Sequence, residues 1–192
     1  MAQRATLLRR LISPVVSRGR AMARDDRGVT AVEFGILALP FFTIIFAILE
    51  TTMVFLASQV LDSAVEDASR MIRTGRAQAA NYDMDDFRDL MCGYTFNLFD
   101  CSAIRIKVAK INSFSSTTTS NAVQSCDYTT TKTCDWTLAQ DFTPGTGREV
   151  IQVFAYYRWP LLINLPYFNF RNQPDNYRLI GGTRVFRNEP FT

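Results

Sequence analysis

A glycine and a carboxylate five positions apart, Gly28 and Glu33 in Arg27-Gly28-Val29-Thr30-Ala31-Val32-Glu33-Phe34, are the residues whose spacing points most directly to chemistry. The chemistry to weigh is cleavage of this chain by a peptidase, if one cuts after Gly28. Gly28 suits a cut because its backbone enters a protease site without a side-chain clash. Cleavage between Gly28 and Val29 makes Val29 the new N-terminus and Glu33 the fifth residue of the product. Glu33 then lies near the positive end of a helix dipole and close to a free α-ammonium. In a packed array that ammonium can belong to the next copy, which makes Glu33 a device that sets register during assembly.

The element that must position these residues is a long apolar helix. Residues 29–61 are almost continuously apolar and residues 34–49 carry no charge, with Glu33 and Glu50 as the internal charges. The run exceeds the roughly 20 residues needed to cross a hydrocarbon core, and it is too uniformly apolar for a one-sided core helix. A membrane span over about residues 34–58 is expected. There a carboxylate such as Glu33 costs roughly 2.5–3.5 kcal/mol at the helix centre and less near an end, so its presence needs a reason. Arg18, Arg20, Arg24 and Arg27 flank the N-terminal side, and Asp62, Glu66 and Asp67 follow the other. By the positive-inside rule the N-terminus is cytoplasmic. The run is too long for the h-region of a secretory signal, and no Ala-x-Ala site is well placed after it.

Charge and residue types exclude several functions. Residues 1–28 hold seven Arg and two Asp, whereas the rest of the chain has 14 basic and 16 acidic side chains, so the basicity belongs to the leader. The head has no clustered Lys/Arg stripe, and a nucleic-acid partner is not expected. The chain has no histidine, which removes Ser-His-Asp and Cys-His catalysis and His-ligated zinc. There is no Gly-rich phosphate loop and no carboxylate pair placed for catalysis, so no catalytic residue, metal or cofactor is assigned and the chain is not read as an enzyme. Asp83, Asp85 and Asp86 lack the glycine turn and terminal glutamate of a calcium loop and read as helix-capping and solvated charge.

Four cysteines, Cys92, Cys101, Cys126 and Cys134, all follow the apolar run. Four allow three pairings; Cys92 with Cys101 and Cys126 with Cys134 are favoured because each closes a short local loop. Disulfides place this region outside the cytoplasm.

Beyond the span the pattern becomes amphipathic, with Val60, Leu61, Ala64, Val65, Ala68, Met71 and Ile72 at helical spacing. Glu66 and Arg70 form an i,i+4 pair in the favourable order, and Gly75 is the expected C-terminal cap. Pro40 can kink a transmembrane helix without ending it, so one helix over residues 29–74 is predicted. A short helix follows at 84–91 with Asp83 as N-cap. Strands are predicted at 103–111 from the alternation of Ile104, Ile106 and Val108, at 149–157, and at 182–187. Residues 112–125 and 158–168 read as loops, the second braced by Pro160 and Pro166. Its aromatics fit a neighbouring subunit, the membrane interface, or a cover over the core. The fold class is α+β: a long N-terminal helix, transmembrane in its first half and amphipathic in its second, packed on a small antiparallel sheet.

A basic leader, Gly at the cut, Glu five residues on, Phe34 after it and an unbroken apolar helix resemble the class III prepilin signal. More closely, GVTAVEFGILALPFF, then Glu50, then AVEDASRMIRTGRAQ resemble the TadE-like minor pilins (pseudopilins) of the tight adherence (Tad/Flp) pilus. Tyr157-Arg158-Trp159-Pro160 and Arg187-Asn188-Glu189-Pro190-Phe191 are similar to distal segments of such chains.

The resemblance implies cleavage between Gly28 and Val29 by an aspartic prepilin peptidase, with Glu33 as the recognition and assembly carboxylate. Its implied partners are the membrane, that peptidase, the major pilin, other minor pilins and an inner-membrane assembly platform. The implied location is the bacterial inner membrane, single-pass, with the head periplasmic or carried out in the pilus. The expected organisation is a leader at 1–28, a long helix at 29–75 and a disulfide-stapled head at 76–192. A head this large fits a minor subunit acting at initiation or at the tip better than the repeating shaft subunit. The alternative is an unprocessed single-span protein with a periplasmic binding head.

Overall fold

The computed structural model describes residues 28–118, 122–124, 134–163 and 170–191. Most of the expected leader, Cys126 and residues 164–169 of the Pro-braced loop lie outside them. The long helix α1, Val29–Arg73, carries Pro40 in its interior. Contacts divide the chain into two units, residues 1–47 and 48–192.

In the first unit the described residues are Gly28 and the apolar start of α1. Large side chains such as Phe34, Leu37, Leu39 and Ile44 are exposed there, and the stretch is long and apolar enough to cross a membrane. Thr43 satisfies its hydroxyl by donating to the Leu39 carbonyl at 2.7 Å, the way a polar group is tolerated on an apolar helix.

The second unit is the head. Here α1 turns one face inward: Val54, Ala57, Leu61, Ala64, Val65, Ala68 and Ile72 are buried, at the alternating three- and four-residue steps of an amphipathic helix. Gly75, at φ 77°, follows the helix end, and its N–H reaches the Ile72 carbonyl. Helix α2, Arg76–Ala79, is a single turn, and α3 is Met84–Gly93. Asp83 caps α3, accepting from the Asp85 and Asp86 N–H groups while Asp86 accepts from the Asp83 N–H. This reciprocal box satisfies three amides left open at a helix start.

Four strands form one sheet in the order β2-β1-β3-β4: β1 Arg105–Ile111, β2 Asp141–Phe142, β3 Val150–Pro160 and β4 Tyr177–Arg187. β1 and β4 run antiparallel to β3, but β2 runs parallel to β1. The sheet is therefore mixed, where an all-antiparallel one was expected. β2 has only two residues, too few for a period-two pattern to be seen in sequence.

β3 also continues through Arg158, Trp159 and Pro160, residues expected to open a loop. Pro160 takes the last position, where its missing N–H interrupts no further ladder. β4 begins five residues before the predicted start. Central β3 is covered on both sides: Ile151, Val153 and Ala155 join the core with α1 residues, while Phe154 packs with Ala122 and Leu138. Buried Gln152 donates to the Thr118 carbonyl at 2.8 Å and accepts from its N–H at 3.4 Å, which satisfies the amide.

Candidate functional site

Gly28, Val29, Glu33 and Phe34 lie together on the first turns of α1, and all four are exposed. The Gly28 carbonyl accepts from the Val32 N–H at 3.1 Å, so Gly28 joins the hydrogen bonding of α1. The Gly28–Val29 peptide lies at the N-terminal boundary of α1. Val29 and Glu33 are four residues apart on α1, so they share a face one turn apart.

Glu50 is a different kind of charge. It is only 4% exposed and its Oε1 accepts from the Leu162 N–H at 3.0 Å. The helix residue therefore ties down the segment that follows β3. Sequence reasoning recorded Glu50 as a second internal charge but gave it no partner, because the partner lies 112 residues away. The available signal was positional: Glu50 falls in step with the buried stripe Val54, Ala57 and Leu61.

The distal motifs build the head. Tyr157 and Trp159 make edge contacts with Phe99, at ring separations of 5.0 and 5.7 Å. Between them Arg158 turns to the other side of the sheet and lies over the Trp136 ring at 4.4 Å. Arg105 approaches the same ring at 5.7 Å. Burial, and then the neighbouring Arg105 charge, hold the Arg158 guanidinium below its ordinary pKa. These three side chains, with Gln173 and Tyr177, line a cavity of about 420 Å³, and among the described lining residues there is no nucleophile–base pair.

At the C-terminal end Asn188 is 2% exposed. Its amide donates to the Pro144 and Thr146 carbonyls, both at 3.0 Å. The Glu189 N–H donates to the Arg73 carbonyl at 2.9 Å, satisfying one of the orphan acceptors at the end of α1. Phe191 covers Gly75, where an added Cβ would come within 2.6 Å of the ring. The Arg187–Phe191 segment thus fastens the helix end to the turn before β3.

Cys92 at the end of α3 and Cys101 are joined in a disulfide. Cys134 is also disulfide-bonded, and the expected pairing with Cys126 lies outside the described residues. Among the described residues no three His, Cys, Asp or Glu side chains gather as metal ligands; Asp83 and Asp86 are used in capping. Glu66 reaches Arg184 on β4 at 3.1 Å; no Glu66–Arg70 pair of the kind expected from their spacing forms among the described ion pairs.

Residues 28–70 match the family model described as TadE-like protein. No curated protein and no solved structure matches the chain. The matched segment begins at Gly28 and ends on α1, leaving the sheet and the Cys92–Cys101 disulfide outside it.

Proposed function

We propose, from the TadE-like segment at residues 28–70, that this chain is a minor pilin-type subunit of a Tad pilus, acting at initiation or at the tip. The family match supports a pilin-like protein associated with that pilus system. The observation that carries the finer reading is the coincidence at one helix start. The matched segment opens at Gly28, the described helix α1 is Val29–Arg73, and Glu33 stands one turn in, at the head of an exposed apolar stretch.

In this reading a prepilin peptidase cuts between Gly28 and Val29. The chain spans the inner membrane once, with the N-terminus cytoplasmic and the head periplasmic. Exposed residues such as Phe34, Leu37 and Ile44 face lipid before assembly and neighbouring pilin helices after it. Glu33 offers a carboxylate to the Val29 ammonium of the adjacent subunit, an ion pair strengthened by the low dielectric around it. The assembly platform and the major pilin are the partners.

Intact mass of the protein recovered from membranes of cells that contain the peptidase tests the processing step. Loss of residues 1–28 is expected, and an uncut chain overturns it. A second reading, an unprocessed single-span protein with a binding head, draws support from the cavity walled by Arg105, Trp136 and Arg158. The two part at Glu33→Ala, which impairs pilus assembly in the first reading and leaves complex formation unchanged in the second.

A further inference from the structure

The Glu50–Leu162 hydrogen bond lies just past the end of the uncharged run of α1. The uncharged run of residues 34–49 has 16 residues, or about 24 Å of helix at 1.5 Å per residue. A hydrocarbon core is about 30 Å thick and takes about 20 residues. Counted from Phe34, the core extends past Leu49 to about Met53 and takes in Glu50. A bare carboxylate there is costly. Glu50 is not bare: it is 4% exposed, and its Oε1 accepts from the Leu162 backbone N–H at 3.0 Å.

The residue that supplies this N–H has the opposite character. The Leu162 side chain is 82% exposed, although it is apolar and its backbone is held. Its neighbour Leu161 is buried at 7% and is fixed by two further bonds. The Leu161 N–H donates to the Asn176 carbonyl at 2.9 Å, and the Asn176 amide donates to the Leu161 carbonyl at 2.7 Å. The loop is thus held at Leu161 and at the Leu162 N–H, while the Leu162 side chain stays exposed. On the same unit Met53, Phe55 and Leu56 of α1 are exposed as well. The next charge along the helix is Asp62, engaged by Arg184. Together these residues give an apolar surface near Glu50, and along α1 the next charge comes only at Asp62; exposed Asp175, beside the Asn176 that holds Leu161, marks where polar surface begins on the loop side.

We propose that the head is seated in the outer leaflet of the membrane through this apolar surface, with Leu162 inserted among the lipid chains and Glu50 holding the loop there. The inference deepens the single-span part of the proposed function and rests on it. A bilayer is the occupant because the apolar surface continues a stretch long and apolar enough to cross one, and because Glu50 falls inside the thickness that a bilayer requires. The seating also gives Glu50 a reason. It satisfies a backbone N–H that would otherwise be carried unpaired into hydrocarbon.

The test uses the full chain in phosphatidylcholine–phosphatidylglycerol vesicles at low protein-to-lipid ratio, with an environment-sensitive fluorophore on Leu162→Cys. The same label on Phe114→Cys, an exposed site on a separate loop of the head, serves as the reference. Resistance of the chain to carbonate extraction reports the span independently of the loop. Expected for the 162 label are a blue-shifted emission, quenching by lipids spin-labelled high on the acyl chain, and protection from aqueous iodide. The 114 label shows none of these.

A carbonate-resistant chain whose 162 label is as open to iodide as the 114 label overturns the seating and leaves the span intact. A chain that carbonate extracts overturns both. Protection that appears only at high protein-to-lipid ratio identifies a second copy of the chain as the occupant, and also overturns the seating in lipid. Glu50→Ala is expected to cut lipid quenching of the 162 label several-fold while the 114 label is unchanged. Undiminished quenching in that variant removes Glu50 as the holder of the loop.

Discussion

Arg184 on β4 grips Asp62 on α1 through both carboxylate oxygens, with Nη1 at 2.8 Å from Oδ1 and Nη2 at 2.7 Å from Oδ2. The planar guanidinium matches a carboxylate in this two-bond geometry. Glu66, one turn further along α1, accepts from Nε at 3.2 Å and Nη2 at 3.1 Å. The bonds to Asp62 chiefly, opposed by burial and aided by Glu66, hold the Arg184 pKa above its ordinary value. Arg184→Met is expected to destabilise the head by about 1 kcal/mol, the upper end for partly exposed ion pairs, because the geometry is bidentate. Urea denaturation of the detergent-solubilised chain at low and high salt measures this. A variant as stable as the parent at low salt would show that the clamp adds no net stability.

Gly182 lets β4 approach that same turn of α1. A Cβ there would lie 3.2 Å from Asp62 Oδ1 and 3.3 Å from both Asp62 Cα and Val65 Cγ2. Gly182→Val adds an isopropyl group, Cβ and two methyls, into this contact and is expected to cost about 1–3 kcal/mol, the range for overpacking. It also pushes on the carboxylate that Arg184 holds, so its effect and that of Arg184→Met should be less than additive. Gly93→Ala, where nothing lies within 4 Å, is the matched control and should be close to neutral. Equal melting curves for the two glycine variants would refute the close-approach account.

How much of this was legible depended on range along the chain. The inward face of α1 follows from the spacing of Leu61, Ala64, Val65, Ala68 and Ile72. Strand β1 follows from alternation at Ile104, Ile106 and Val108. These are local periods set by helix and strand geometry. The residues of β4 before Gly182 are hard to read as strand because Gly181 weakens the signal, yet both glycines are needed here. Gly181 lies against the Tyr156 ring, 2.3 Å from where a Cβ would sit, and Gly182 lies against α1. Glu66 was matched to Arg70 by helical spacing, yet it engages Arg184, 118 residues away. Glu50 and Leu162 show the same limit. A one-dimensional pattern records that a charge is out of place, and only the fold supplies its partner. Gly28 and Glu33 are the reverse case, since their significance is a spacing along one helix start.

The Cys92–Cys101 bridge closes a loop with a sequence separation of 9 between α3 and the turn leading into β1. Phe87 and Met91 of α3 are fully buried in the main core, so the bridge fastens a packed helix to the sheet. Replacing both cysteines by alanine is expected to cost about 2–3 kcal/mol, the chain-entropy value for a loop of about ten residues. Thermal melting of the double variant, compared with the parent before and after reduction, checks this. Reduction should lower the parent by at least as much as the double replacement does. A parent unmoved by full reduction would contradict the account.

Glu149 supplies a pH dependence with a definite sign. It accepts from Lys110 on β1 and, at 2.8 Å, from the Thr146 N–H in the turn before β3. The Lys110 hydrogen bond first, and then the Thr146 amide, hold its carboxyl below the ordinary 4.5. A carboxylate whose folded pKa is depressed contributes stability that is present above its unfolded pKa and is lost as pH falls through the folded value. Glu149→Gln should therefore be less stable than the parent near neutrality. The gap should close as pH falls through the ordinary carboxylate range to below the lowered folded value, where the parent protonates and loses the same interaction. Urea midpoints at a series of pH values follow the gap directly. A gap that widens on acidification would reverse the assigned sign, and a gap independent of pH would mean that Glu149 acts through packing alone. Lys110→Met, which removes the first of the two causes, should show a smaller gap of the same sign, since the Thr146 amide still favours the ionised carboxylate.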